Sequence, residues 1–220
     1  MKIRKSVLLV AISIFSFTSN AQQNLYKRAG VIKIKDHKSI IAGTIRNDKD
    51  IYSISLNDID KFDGHICGCN TAGFLITKNI LKKLFPNEIP NRNSIKVSIS
   101  EYNRDMIDAI CFITGIRLNA GQYTNKADEF IVEKTLAGKK GTTVLVFERK
   151  DNGKKIKVIL DKNYLLTKEE MITIETIKPK IGKKTATNAE KKQFAEVTRA
   201  IVKKEITNLP DKAIVYTELN

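Results

Sequence analysis

The run Phe62-Asp63-Gly64-His65-Ile66-Cys67-Gly68-Cys69-Asn70 places one of the chain's two histidines beside two of its three cysteines. Imidazole and thiolate are the donors that zinc, copper and some iron sites select. Three of them within five residues can close on one ion after a tight turn. The elements around this cluster therefore decide what chemistry is within reach.

Leu56 to Phe62 reads as a short helix capped by Ser55 or Asn57. Thr71 to Phe85 carries apolar residues at Ala72, Leu75, Ile76, Ile80, Leu81 and Leu84, the spacing of an amphipathic helix, and Pro86, Asn87 and Pro90 stop it. Cys67 and Cys69 thus fall at or before the start of a helix, where the positive dipole end stabilises thiolate. Ile95, Val97 and Ile99 alternate with polar residues as in a half-buried strand, and Asp105 to Thr114 forms a second helix ending at Gly115. Asp108 and Cys111, three residues apart, share a face of it, with Asp105 one turn earlier.

Elsewhere Ala29 to Ile34 and Ser39 to Ile45 read as a small hairpin, and Thr143 to Glu148 with Ile156 to Leu160 as a second one across Asp151-Asn152-Gly153. Leu166 to Ile177 forms a further short element, Lys178 to Thr187 a basic connector, and Asn188 to Thr207 a C-terminal helix. The mixture predicts an α+β fold with a largely antiparallel sheet packed with helices. The expected organisation is a leader over 1–21, a core with its N-terminal hairpin over 22–178, and the connector and last helix over 179–220.

Lys2, Arg4 and Lys5 precede an apolar run from Val7 to Phe17, then small polar residues and Ala21. This is the layout of a secretory signal peptide, too short to span a bilayer, with cleavage expected after Ala21 and a periplasmic or secreted product. No later stretch is apolar enough to cross a membrane, so an integral membrane protein is not expected. The 220 residues carry 42% hydrophobic and 29% charged side chains and no Trp, so the core is built from Ile, Leu, Val and Phe. Net charge is +15, and losing the leader's three cations leaves +12. Such a charge favours anionic partners, yet nucleic acid is not expected: export removes the opportunity, and the basic residues lack interleaved aromatic stacking platforms. A small-molecule ligand or an envelope protein suits this reading, and a homodimer is compatible with it.

In an oxidising compartment three cysteines leave at least one without an intramolecular partner. A Cys67–Cys69 bridge closes a very small, strained ring, whereas a bridge from either to Cys111 requires their segments to pack together. Metal ligation, a reactive thiol and inert burial are the alternatives. His37 reads as a surface turn residue. Asp58 and Asp60 read as helix-start charges, since a separation of two places them on different sides of a helix.

Residues 62 to 121 resemble the core of the formylmethanofuran dehydrogenase E-subunit family. Its pattern runs approximately Phe-His-Gly-His-x-Cys-Pro-Gly, then Cys-x-x-Asp-Ala-Ile-Gln, then Thr-Gly-x-Thr-x-Gly. Phe62, Gly64, His65 and Cys67 match the first block, Asp108, Ala109 and Ile110 the second, Thr114 and Gly115 the third. Asp63 replaces a His, Gly68-Cys69 replaces Pro-Gly, Asp105 stands at the second-block Cys position, and Cys111 replaces Gln. The resemblance implies an α+β core with a metal-capable cleft between the His-Cys turn and the second helix. It supplies no reaction.

On this reading His65 and Cys67 bind a transition metal, zinc by default, with Asp105 and Cys111 arriving from the facing helix and Cys69 as an extra ligand. Asp108 orients a ligand from behind. Three protein donors would leave a position for Lewis-acid chemistry, four would close the site. Two other classes stay open: a thiol redox protein exchanging Cys67 with Cys69 or Cys111, and a non-catalytic module presenting a basic cleft to an anion.

Overall fold

The protein is described by a computed structural model covering residues 22–37, 41–43, 50–118 and 129–219. The expected signal peptide lies outside these residues. Residues 22–28 form helix α1. Strand β1 (Ile32–Lys35) pairs antiparallel with β2 (Ile51–Ile54), Ile32 opposite Ile54 and Ile34 opposite Tyr52. This corrects the expected hairpin partner over 39–45. Residues 41–43 hold a helix end and turn, with the Ile41 N–H on the His37 carbonyl, and the remainder of that stretch lies outside the described residues. Register explains the choice, because this pairing buries Ile32, Ile34 and Ile54 together.

Helix α2 (Leu56–Asp63) follows at once, opened by Ser55, whose backbone N–H and hydroxyl both donate to the Asp58 carboxylate in a capping box. Gly64 ends it in the left-handed region (φ 75°), a conformation that favours glycine, and this turns the chain back into α3 (Gly68–Leu84). That helix begins three residues earlier than its apolar periodicity indicates. Strand β3 (Ile95–Ile99) leads to α4 (Arg104–Thr114), capped by the Asn103 side chain and closed by Gly115 in the left-handed region, where the sequence places its end.

The main sheet has the order β4-β3-β5-β6-β7, with β4 (Phe130–Val132), β5 (Thr142–Arg149), β6 (Lys155–Asp161) and β7 (Ile214–Leu219). Only the β3–β4 pair is parallel, so the fold is α+β with a mostly antiparallel sheet, as expected. The β5–β6 hairpin keeps its predicted register, Thr143 opposite Leu160 and Phe147 opposite Ile156. One sheet face, carrying Ile99, Leu145, Phe147 and Val158, joins Phe74, Ile76 and Ile80 of α3 and Met106 and Ile110 of α4 in a single buried cluster. Besides β2, two strands of the main sheet escape the sequence reading. β4 is only three residues long, and β7 is a half-exposed edge strand after a polar turn.

Helix α5 (Lys168–Gly182) extends through Pro179 well into the expected basic connector. Pro179 lies in the last turn, where it can donate no N–H to the carbonyl four residues earlier, and its own carbonyl accepts from the Lys183 N–H at 3.0 Å as the helix closes. Helix α6 (Asn188–Thr207) matches its expected span and packs on both α5 and α3. No described helix is long and apolar enough to cross a membrane.

The closest helix pairing is α3 against α4, and Gly73 makes it possible. A Cβ there would stand 3.1 Å from the Met106 carbonyl oxygen and 3.3 Å from the Ala109 Cβ. A larger residue would hold the helices apart. The approach brings the two helix N-termini side by side, and the site lies between them.

Candidate metal centre

Cys67 is the N-cap of α3, and Asp105 lies in the first turn of α4. His65 comes from the turn that Gly64 opens. The Cys67 Sγ is 3.4 Å from Asp105 Oδ2, and His65 Nε2 is 3.9 Å from the same oxygen. Ligand atoms of all three residues lie within 4.8 Å of one another. Bond lengths of about 2.3 Å to sulfur and about 2.0 Å to oxygen at a tetrahedral angle set a sulfur–oxygen separation of about 3.5 Å. The Cys67–Asp105 pair already has that spacing, and the imidazole needs to close on Asp105 by about half an ångström. The group therefore fits a transition metal. Both helix N-termini present their positive dipole ends to the thiol and carboxylate, which favours the anionic forms a cation requires.

The turn is held by a residue the sequence reading passed over. Asn70, fully buried, accepts from the Cys67 backbone N–H through Oδ1 at 2.7 Å. Its Nδ2 donates to the His65 carbonyl at 3.0 Å and to Asp63 Oδ2 at 3.3 Å. One amide thus ties together the backbone of both turn donors. The third-position Asn after a Cys cap, a capping-box spacing, is the signal that points to it. The His65 ring lies with Nδ1 3.3 Å from the Asp63 carbonyl. A proton on Nδ1 satisfies that contact and leaves Nε2, which faces Asp105, free to coordinate.

Cys69 stands beside the group, not in it. Its sulfur accepts from Asn103 Nδ2 at 3.3 Å. Hydrogen bonds from Cys67 and Asn103, with the charges of Lys178 and Lys162, outweigh burial and lower its thiol to about 6. The interaction with the Cys69 sulfur, followed by burial, raises the Cys67 thiol. Asn103 was likewise unforeseen; it caps α4 through Oδ1 and grips Cys69 through Nδ2.

Cys111 and Asp108 lie apart from the group. Six residues along a helix carry Cys111 about 9 Å along the axis from Asp105 and about a third of a turn round it. Both residues instead line a cavity shared with Phe62 and Phe112. Burial pushes the Cys111 thiol up to about 12. Asp108 pairs with Arg104 at 3.3 Å, so it steadies its own helix face. Asp58 is the capping partner of Ser55, as its place at a helix start implies. All three cysteines are free thiols.

A third unforeseen residue is Glu205 of α6, buried against the start of α3. Its Oε1 would be 3.4 Å from a Cβ on Gly68, and among the described residues neither its Oε2 nor the buried Thr71 hydroxyl has a hydrogen-bond partner. Burial, with the Cys69 charge second, raises its carboxyl well above the ordinary range.

No curated protein and no solved structure matches the chain. The family described as "FmdE, Molybdenum formylmethanofuran dehydrogenase operon" matches residues 62–215, a span that contains the His-Cys turn, α4 and nearly the whole main sheet. Because that match covers most of the sequence, the chain belongs to the FmdE family.

Proposed function

We propose that the protein is an exported metal-binding protein in which His65, Cys67 and Asp105 hold a transition metal, zinc by preference. The carrying observation is the convergence of one nitrogen, one sulfur and one carboxylate oxygen within 4.8 Å from two separate helix starts. A borderline-soft set of this kind suits zinc, and three protein donors leave a fourth position. A bound ion would supply Lewis acidity to a substrate or solvent oxygen there. The chain's own part is to orient the donors: Asn70 fixes the turn, Asp63 fixes the imidazole, and Gly73 sets the helix spacing. The basic, apolar and small-residue layout of residues 1–21 supports export. Zinc titration against a chromogenic chelator tests the site. One equivalent should bind, and His65→Ala, Cys67→Ser and Asp105→Asn should each lower affinity at least tenfold; unchanged binding in all three would refute it.

A second reading, thiol exchange, is favoured by one observation: Cys69, two residues from Cys67 and accepting from Asn103 Nδ2 at 3.3 Å, has its thiol lowered to about 6. An external disulfide would accept the two electrons, leaving a Cys67–Cys69 bridge and two reduced thiols. Alkylation followed by peptide mass spectrometry separates the readings. Metal-bound Cys67 becomes reactive on chelation, whereas a redox pair cycles with mild reductant in chelator-free buffer.

A further inference from the structure

On the flank of α4 away from Asp105 lies a cavity of about 720 Å³, within the range of small-molecule sites. Three aromatic side chains mark it: Phe62 and Tyr102 are 56% and 63% exposed, and the Phe62 ring sits 5.0 Å from that of Phe112. Large aromatic groups left in water around a concavity signal an interaction surface more than packing. The tilted Phe62–Phe112 pair offers an apolar wall to a flat molecule.

The charges sort by what already holds them. Arg92 pairs with Asp36 at 3.4 Å and donates to the Ile113 and Phe112 carbonyls, so it is spent on closing the end of α4. Asp108 is committed to Arg104. Burial keeps the Cys111 thiol protonated and neutral. Arg117 alone among the charged residues of the wall has no hydrogen bond or ion pair among the described residues, and it is exposed. The cavity is thus an aromatic-walled space with one uncommitted guanidinium, whose planar fork matches a carboxylate.

We propose that this cavity binds a small planar aromatic or heteroaromatic carboxylate, its ring against Phe62 and Phe112 and its carboxylate on Arg117. The site is separate from the His65–Cys67–Asp105 group and does not depend on a metal. Isothermal titration calorimetry of the full chain with 1-naphthoate and its uncharged amide, 1-naphthamide, tests it. Naphthoate should bind saturably with one molecule per chain, and the amide at least tenfold more weakly. Arg117→Gln should cost naphthoate at least tenfold while leaving the amide unchanged, and Phe62→Ser should weaken both. Both variants alter exposed side chains, so folding is not at risk. Bound naphthoate should also slow alkylation of Cys111, read by peptide mass spectrometry. No saturable binding, equal affinity for the acid and the amide, or an equal loss in the surface variant Lys212→Gln would overturn the proposal. Binding that persists in chelator-treated protein and in Cys67→Ser supports it, whatever becomes of the metal centre.

Discussion

The Cys67 sulfur and the Asp105 carboxylate meet at 3.4 Å across 38 residues of sequence because each occupies the start of a helix and Gly73 lets those helices touch. Their contact converts two local capping decisions into one site. It also explains why residues of α4 itself, not the turn alone, complete the donor set.

Asn70 should matter to folding and metal binding together. Asn70→Ala removes three hydrogen bonds and strands the Cys67 N–H and the His65 carbonyl. A loss of about 1–3 kcal/mol in urea unfolding is expected. Zinc affinity should fall about 10–100-fold, the usual effect of losing a group that orients ligands.

The helix spacing predicts a cost for a single methyl group. In Gly73→Ala the new Cβ meets the Met106 carbonyl oxygen and Ala109 at 3.1 and 3.3 Å, and the surrounding core leaves little room to yield. Destabilisation of about 1–3 kcal/mol is expected in denaturant unfolding. Because α4 must move, Asp105 moves with it, so zinc affinity should drop as well. Full stability with unaltered zinc binding would show that the spacing is not tight.

Glu205 gives a pH signature. Its folded-state pKa is raised above the unfolded value, so the folded protein holds a proton that the unfolded chain releases. Its contribution is therefore fully present below about pH 4.5 and is lost as pH rises from there toward the folded pKa, at up to about 1.4 kcal/mol per pH unit. Glu205→Gln should flatten that fall, stabilising the protein at pH 8 and changing little at pH 4. Urea titrations at the two pH values check this; equal effects at both would show that Glu205 does not hold its proton.

Cys111→Ser should leave zinc stoichiometry and affinity unchanged. Its thiol lies about 9 Å along the helix from the site and lines the aromatic cavity. A large loss of zinc binding in this variant would return Cys111 to the ligand set.

Most of the fold was legible because its signals are local. The apolar alternation of Ile95, Val97 and Ile99, the Asp151-Asn152-Gly153 turn, and Gly115 at the end of α4 each fix an element by themselves. β7 was not legible, since four of its six residues are exposed and its pairing with β6 depends on a connection running through two helices. Within the site, His65, Cys67 and Asp105 could be read from residue type and helix placement. Spacing along α4 argues against Cys111 beside Asp105, since six residues carry it about 9 Å along the axis and about a third of a turn round it. Asn70 leaves only its capping-box spacing as a signal, whereas Asn103 and Glu205 depend on where a neighbouring sulfur and a distant helix end up, which composition and spacing do not encode.

X-ray absorption at the zinc edge, on protein loaded with one equivalent, tests the central claim most directly. The account predicts a first shell of one sulfur with nitrogen and oxygen donors, the sulfur lost in Cys67→Ser and kept in Cys111→Ser. An ion that does not bind, or a sulfur signal that survives Cys67→Ser, would contradict it.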